Sequence, residues 1–296
     1  MTESAEEPLL LPGLAAALSG LRARIEAILA RPRGLGAAGT LHDLRVALRR
    51  TASFARLTRG VPTAGDGETL RLAARELRRA LSPRRTHDVA RARLNTRFRR
   101  DPGRRKTAEW LAARMTHEVP ARAASRGRSE SVRLVALRRA FAQRDAEFFR
   151  LHQPLSGSFD ARVEKRLRAK IGKRLRAARG SLLSAGVPSA ETLHPTRIAA
   201  KKLRYALELV SETMPGVREL LEPLKRFQDA SGDAHDRAEL IVAVRLQAGR
   251  TRPPLRREVM RLLPVLMRDA ERALGRAQAA ARRLLPQLEW TELEWR

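Results

Sequence analysis

Two short segments of the chain combine a histidine with basic residues at helical spacing. The first reads Leu-His-Asp-Leu-Arg-Val-Ala-Leu-Arg-Arg from Leu41, and the second reads Leu-His-Pro-Thr-Arg-Ile-Ala-Ala-Lys-Lys from Leu193. On a helix, residues at positions i, i+3 and i+7 share one face. The segments therefore predict two basic stripes, a first stripe of His42, Arg45, Arg49 and Arg56 and a second stripe of His194, Arg197, Lys201 and Arg204.

Side chains of these types at this spacing suit the binding of phosphate groups. A guanidinium group binds two phosphate oxygens at once, and a nearby polyanion raises the pKa of an imidazole toward its charged form. Arg50 and Lys202, which align with each other, add to the basic character of the two segments. The alternative is that each stripe is an ordinary solvated face. The repeated spacing, with almost no acidic residue inside the stripes, favours binding.

The sequence offers little for catalysis or for a metal site. Phosphoryl transfer needs metal-holding carboxylates or a glycine-rich phosphate loop, and we find no GxxxxGK[ST] or His-Glu-x-x-His pattern. There is no cysteine, which excludes thiol chemistry and Cys-ligated zinc. We therefore expect a protein that is not an enzyme and that has no catalytic residue, metal or cofactor.

The elements that position the stripes are predicted to be helices throughout. Leucine and alanine recur at helical spacing, no alternating strand pattern is evident, and proline and glycine clusters separate the helices. The first half, residues 9–152, is predicted to hold helices at about 9–30 and 40–59, a third helix that ends at about 81, a shorter continuation of it to about 97, and helices at about 101–117 and 129–151. The second half, residues 158–286, is predicted to hold helices at about 159–186, 193–213, 217–230, 233–247 and 254–285.

A second pair of landmarks supports an internal duplication. His87-Asp88 follows the first segment and His235-Asp236 follows the second, in the same order and at similar distances. Two landmarks in one order are typical of a repeat. We therefore predict one all-α domain over residues 1–296, built as two helical bundles that bring the stripes to face one groove.

The charge of the chain indicates a polyanionic partner. Lys and Arg number 61 against 32 Asp and Glu, a formal net charge of +29, and such self-repulsion would be relieved by a bound polyanion. Nucleic acid is the alternative ligand, although aromatic residues, on which single-stranded binders stack bases, make up only 4%. A scaffold role on an acidic partner or an anionic membrane is a third reading.

Two features of the sequence bear on location. The N-terminal residues MTESAEEPLLLPG lack the layout of a signal peptide, and no apolar run approaches the roughly 18 residues needed to span a bilayer. We therefore expect a soluble, cytoplasmic protein with no membrane association.

The motifs resemble those of the CHAD family, the conserved histidine α-helical domain. The family pattern is similar to His-x-x-Arg-(Val/Ile)-x-x-(Arg/Lys)-(Arg/Lys), which both segments fit. The second half adds Lys-Lys-Leu-Arg-Tyr-Ala-Leu-Glu from Lys201, Leu-Lys-Arg-Phe-Gln-Asp from Leu224 and Gly-Asp-Ala-His-Asp from Gly232. The resemblance covers roughly residues 10–286.

The resemblance implies two four-helix bundles related by a pseudo-two-fold axis, with a basic central cavity that binds inorganic polyphosphate. Localisation to polyphosphate granules would follow from such binding. Carried over by position, the ligand contacts would be His42, Arg45, Arg49, His194, Arg197, Lys201, Arg204 and Lys225. Arg78, Arg85, His87 and His235 form a secondary set. Ala52 stands where the second half has Arg204, so the second stripe is expected to bind more strongly.

Overall fold

The computed structural model describes the backbone of residues 10–32, 38–60, 67–117, 123–151, 157–185, 189–211 and 217–294. Within these ranges every regular element is a helix, so the predicted all-α class is confirmed. In chain order the α-helices are α1 (Leu10–Leu29), α2 (Ala38–Leu57), α3 (Glu68–Ala80), α4 (Ser82–Phe98), α5 (Pro102–His117), α6 (Ala123–Leu151), α7 (Gly157–Ala185), α8 (Ala190–Val210), α9 (Leu221–Gly249), α10 (Leu255–Met260) and α11 (Leu263–Glu294).

Each half of the chain forms a ring of four packed helices. In the first half, α1 packs on α2, α2 on α3, α3 on α6 and α6 back on α1. In the second half, α7, α8, α9 and α11 follow one another around the ring in the same way. The predicted pair of four-helix bundles is therefore observed, while the internal duplication stays a prediction. The exact pseudo-two-fold relation between the halves stays a prediction.

The two bundles share one hydrophobic core and meet along α2 and α8. On α2 the core face is made by Leu41, Leu44 and Leu48, which are at most 1% exposed. On α8 the corresponding face carries Leu193 and Leu203. Because these apolar faces are buried, the basic face of each helix turns away from its own bundle core. One shared core favours a single domain over two independent ones.

Local signals fix where α3 and α8 begin. Ser189 caps α8: its hydroxyl accepts a hydrogen bond from the Thr192 amide at 3.3 Å, and the Thr192 hydroxyl accepts one from the Ser189 amide at 2.9 Å. Gly67 precedes α3 with a φ of 66°, and a Cβ there would lie 3.1 Å from the Ala55 carbonyl oxygen. Only glycine combines that backbone conformation with so close an approach to α2.

Helices α4 and α5 form a hairpin that extends from the first bundle to the second. A separate apolar cluster, which includes Leu94, Phe98 and Leu111 of the hairpin, packs against Val244 of α9 and Leu262 beside α10. Arg93 of α4 also forms ion pairs with Asp233 and Asp236 of α9, at 2.6 and 3.3 Å. The hairpin thus ties the two halves together at a second place.

The division into helices differs from the prediction at two places, and in addition α6 begins at Ala123 rather than at about 129 and α11 ends at Glu294 rather than at about 285. The predicted break between residues 230 and 233 is wrong, because α9 continues without interruption through Gly232. A helix tolerates a single interior glycine, although glycine is less favourable there than alanine. The single helix predicted at 254–285 is divided in two, α10 and α11, by a turn at residues 261–262.

Candidate functional site

A basic cavity of about 880 Å³ lies where the two bundles meet. Its walls come from α2 and α3 of the first bundle and from α7 and α8 of the second. Every charged side chain in its described lining is basic. These residues are Arg49, Arg56, Arg71, Arg75, Arg78, Lys170, Lys173, Arg174, Arg197, Lys201 and Lys202, joined by His194.

The two predicted stripes supply only two of the four walls. Helix α3 contributes Arg71, Arg75 and Arg78, spaced i, i+4 and i+7, so that they share one face of that helix. Helix α7 contributes Lys170, Lys173 and Arg174. Except for Arg78, these residues were not singled out from the sequence. The same one-sided basic spacing was present in both helices and could have identified them, but many other arginines of this chain show similar local patterns.

A smaller cavity of about 320 Å³ adjoins the basic cavity, and Arg49, His194 and Arg197 line both. We call it the histidine cavity, because three histidines of the described residues line it: His42, His194 and His235. The rings of His194 and His235 pack against each other with their centroids 4.8 Å apart. Unlike the basic cavity, it includes carboxylates, those of Asp236 and Glu239 on α9.

Crowding of like charges perturbs the ionisation of the cavity walls. Burial, together with the neighbouring Arg49 and Arg197 guanidinium groups, lowers the pKa of Lys201 to about 6. Burial and the nearby Arg56 lower the pKa of Arg174 to about 10. Burial also lowers the pKa of Arg197. Because burial and neighbouring cations disfavour the charged forms of these side chains, a bound anion would raise their pKa values again.

Burial first, and neighbouring cations second, also lower the pKa of four other side chains of this region, Arg56, Arg78, Lys170 and His235. The pKa values of Arg56 and Arg78 fall because of burial and then because of other arginines. Lys170 behaves in the same way, with Arg174 and Arg166 as neighbours. Burial lowers the pKa of His235, and the adjacent His194 and Arg197 lower it further.

Two arginines of the basic cavity have buried nitrogen atoms without a hydrogen-bond acceptor. These atoms are Nε of Arg197 and Nη1 of Arg174, and neither has a partner among the described residues. A buried donor left unpaired costs free energy, so native proteins seldom keep one without a reason. Both arginines line the basic cavity, whose described lining contains no carboxylate.

The structure places most of the predicted contacts on these cavities. His42 and Arg45 line the histidine cavity, and Arg45 donates a hydrogen bond to the Arg78 carbonyl at 3.5 Å. Arg56 and Lys202 line the basic cavity. The side chains of Arg85 and His87 lie outside the described part of the chain.

Three predicted contacts lie elsewhere. Arg204 is 8% exposed, donates to the Gln228 side chain at 2.9 Å and pairs with Glu208 at 3.0 Å. Arg50 of α2 pairs with the same Glu208, at 2.9 Å. Arg50 therefore joins α2 to α8 through Glu208, and Arg204 joins α8 to α9 through Gln228; neither arginine lines either cavity.

Lys225 is the third of these residues. Its side chain is 56% exposed and lies 3.8 Å from Glu222 on the same helix. It lines neither the basic cavity nor the histidine cavity. The predicted role of Lys225 therefore has no support from its position.

Comparison with known proteins agrees with this architecture. The family model described as "CHAD domain" matches residues 14–245, which is most of the chain. The chain belongs to the CHAD domain family. Among curated proteins, none matches its sequence at a significant level.

Two solved structures share the fold. The crystal structure of the CHAD domain from the plant Ricinus communis has a TM-score of 0.63 at 20% identity, over 93% of this chain and 92% of that one. PptA from Streptomyces chartreusis has a TM-score of 0.62 at 18% identity, over 91% of this chain and 98% of that one. At these identities the CHAD fold is shared, while the individual site residues must be argued from this structure.

Two searches of the described residues gave negative results. They include no group of three or more histidine, aspartate or glutamate side chains placed to hold a metal ion. None of their helices is both long enough and apolar enough to cross a membrane.

Proposed function

We propose that this CHAD domain binds inorganic polyphosphate in the basic cavity and does not turn it over. The observation that carries the proposal is a cavity of about 880 Å³ whose charged lining side chains, as far as they are described, are all basic. The arginine and lysine side chains of this lining are hydrogen-bond donors with no acceptor of their own, so they match phosphate oxygens. Every unit of a polyphosphate chain carries phosphate oxygens, and binding the chain requires no contact with a base.

The shape of the site favours a narrow polyanion over duplex nucleic acid. A duplex whose major groove alone is about 12 Å wide is too broad to enter a cavity of this volume, so only surface arginines could hold it. Among the residues lining the basic cavity, Tyr205 and His194 alone carry rings, and Tyr205 is 4% exposed. The cavity therefore has little surface on which unpaired bases could stack.

A competition experiment tests the choice of ligand. Labelled long-chain polyphosphate is bound to the purified protein at fixed salt and then challenged with unlabelled polyphosphate, duplex DNA or heparin at equal charge. We expect polyphosphate to compete at least tenfold better than DNA or heparin. Equal competition by DNA would mean a general polyanion-binding surface and would refute the cavity proposal.

Charge reversal tests the location of the site. Arg49→Glu combined with Lys201→Glu places two acidic groups in the walls formed by α2 and α8, and at about 1.5–3 kcal/mol per lost charged hydrogen bond we expect at least a hundredfold loss of affinity. Arg282→Glu combined with Arg283→Glu is the matched control. Both of those arginines are exposed on α11 and line neither cavity. Similar losses in both double variants would place binding on the general surface charge instead.

The absence of turnover and the cellular role have their own tests. Polyphosphate incubated with the protein, with and without Mg²⁺, is expected to keep its chain length on a gel, and shortening that Arg49→Glu abolishes would refute the non-catalytic role.

In cells, a fluorescent fusion is expected to collect in the cytoplasm at polyphosphate granules. The Arg49→Glu/Lys201→Glu fusion should instead be diffuse.

A further inference from the structure

Arg197 occupies a special place in the proposed site. It lines both the basic cavity and the histidine cavity, and its Nε is buried without a hydrogen-bond partner among the described residues. In the first bundle the corresponding arginine, Arg45, donates a hydrogen bond to the backbone carbonyl of Arg78. The contact that holds the Arg197 guanidinium in place is therefore a different one.

The guanidinium of Arg197 lies directly against the backbone of Gly232 on α9. A Cβ added at Gly232 would lie 3.1 Å from Nη2, 3.4 Å from Nε and 3.7 Å from Cζ of Arg197. The first of these distances is shorter than the usual contact between a Cβ and a neighbouring heavy atom. Gly232 itself is buried within α9.

Glycine at this position is unfavourable for the stability of its helix. Residue 232 lies well inside a helix of 29 residues, where glycine is less favourable than alanine. No φ value in the left-handed region requires it there, in contrast to Gly60 and Gly67. The atoms nearest to the missing Cβ all belong to Arg197, so the side chain that benefits from the glycine is that arginine.

We infer that Gly232 is a positioning residue for the anion site: its bare Cα is the surface on which the Arg197 guanidinium lies and is directed toward the ligand. The inference rests on the proposed function, since it assigns Arg197 to phosphate binding. It also explains why α9 runs through a glycine in the segment that packs against α8. A methyl group there would displace the guanidinium by a few tenths of an ångström, away from phosphates that it binds in a fixed planar geometry.

The test is Gly232→Ala, for which stability and affinity should change in opposite directions. Because alanine favours the helix and the displaced atoms belong to the end of a flexible side chain, we expect the melting temperature to stay the same or rise. The affinity for long-chain polyphosphate should fall by about tenfold, the loss expected when one charged hydrogen bond is weakened. A purely structural glycine would instead lose stability and keep its affinity.

Two other helical glycines serve as controls. Gly172 is buried in α7, where a Cβ would lie 3.5 Å from Nη1 of Arg176, an ordinary contact. Gly275 in α11 has nothing within 4 Å of the same position. Gly172→Ala and Gly275→Ala should therefore gain helix stability and bind polyphosphate as the parent protein does.

A double-variant cycle makes the result specific to Arg197. In an Arg197→Ala background, Gly232→Ala should cause no further loss of affinity, because the side chain that it displaces is gone. If Gly232→Ala loses affinity equally in both backgrounds, or binds like the parent protein, the inference is overturned. If Gly232→Ala fails to fold but the double variant folds, the steric contact with Arg197 is supported. Failure of both to fold would overturn it.

The parent protein separates this inference from the proposed function. If the unmodified chain does not bind polyphosphate, the proposed function itself fails. If it binds and Arg197→Ala weakens binding, while Gly232→Ala behaves like Gly172→Ala, only the role of Gly232 fails.

Discussion

Binding of polyphosphate should be coupled to the uptake of a proton by Lys201. Burial and the guanidinium groups of Arg49 and Arg197 lower the pKa of this lysine to about 6, from an ordinary value of 10.5. At pH 8, two units above that pKa, only about one molecule in a hundred carries the charged ammonium group. A bound polyanion favours the charged form, so the bound state should hold about one proton more than the free state.

The magnitude and the sign of the pH dependence follow from this shift. Above pH 6 the affinity should fall by up to tenfold for each pH unit, equivalent to about 1.4 kcal/mol. Below pH 6 Lys201 is already charged before binding, so the affinity should no longer depend on pH through this group. The unliganded protein should show the opposite trend in stability. Between about pH 6 and 10.5 the unfolded chain binds the extra proton, so the free energy of unfolding should increase with pH over that window.

Isothermal titration calorimetry at pH 8 in two buffers of different ionisation enthalpy measures the proton uptake directly. Long-chain polyphosphate is the ligand of choice, because only terminal phosphates titrate near pH 6. His235 should contribute little at this pH, since burial lowers its pKa. We expect an uptake of about one proton for the parent protein.

Lys201→Arg is the control, because arginine keeps its charge at every accessible pH. This variant should take up almost no proton and should bind with a flatter pH profile. An uptake near zero in the parent protein would refute the reasoning. So would an equal uptake in Lys201→Arg, because the proton would then belong to another group.

Two further predictions concern the stability of the bundles. Glu208→Gln removes the charge with which Arg50 and Arg204 both pair, and it should lower the free energy of unfolding in urea by about 1–3 kcal/mol. Glu222→Gln is the control, because its pairs with Lys225 and Arg226 are exposed, and it should change the free energy of unfolding by less than about 1 kcal/mol. Equal effects of the two variants would contradict the assigned role of Glu208. Glu147→Leu should cost about 3–5 kcal/mol because it leaves the 1% exposed Arg144 without its carboxylate. The double variant Arg144→Met/Glu147→Leu should recover most of that loss, and a double variant less stable than the single one would count against the pairing.

Local sequence patterns were sufficient for the elements and for much of the site. Breakers and helical periodicity placed α1, α2 and α8 close to their observed bounds, because a one-sided apolar pattern leaves a helix few other ways to bury its surface. The same patterns placed Arg49, Arg197 and Lys201 on exposed faces, and all three line the cavity. The break predicted at Gly232 failed because the signal for a helix end and the signal for a close side-chain contact are the same residue.

The remaining walls of the cavity could not be predicted from local pattern. Arg71, Arg75, Lys170 and Arg174 stand in helices that look like many other basic helices of this chain. Whether such a face meets solvent or a cavity depends on which helices the two bundles bring together. That choice is made by the packing of α2 against α8, between residues far apart in the sequence.

The sequence by itself determined that this is an all-α CHAD domain with a duplicated basic motif, because helix formation and repeats are recorded in neighbouring residues. Only the tertiary structure decided which basic residues act together. Arg204 and Lys201 are three positions apart on one helix, yet Arg204 is neutralised by Glu208 while Lys201 lines the cavity among other cations. The difference lies in the partners that folding places beside each side chain, since the energy of a charge depends on its distance from other charges and on its burial.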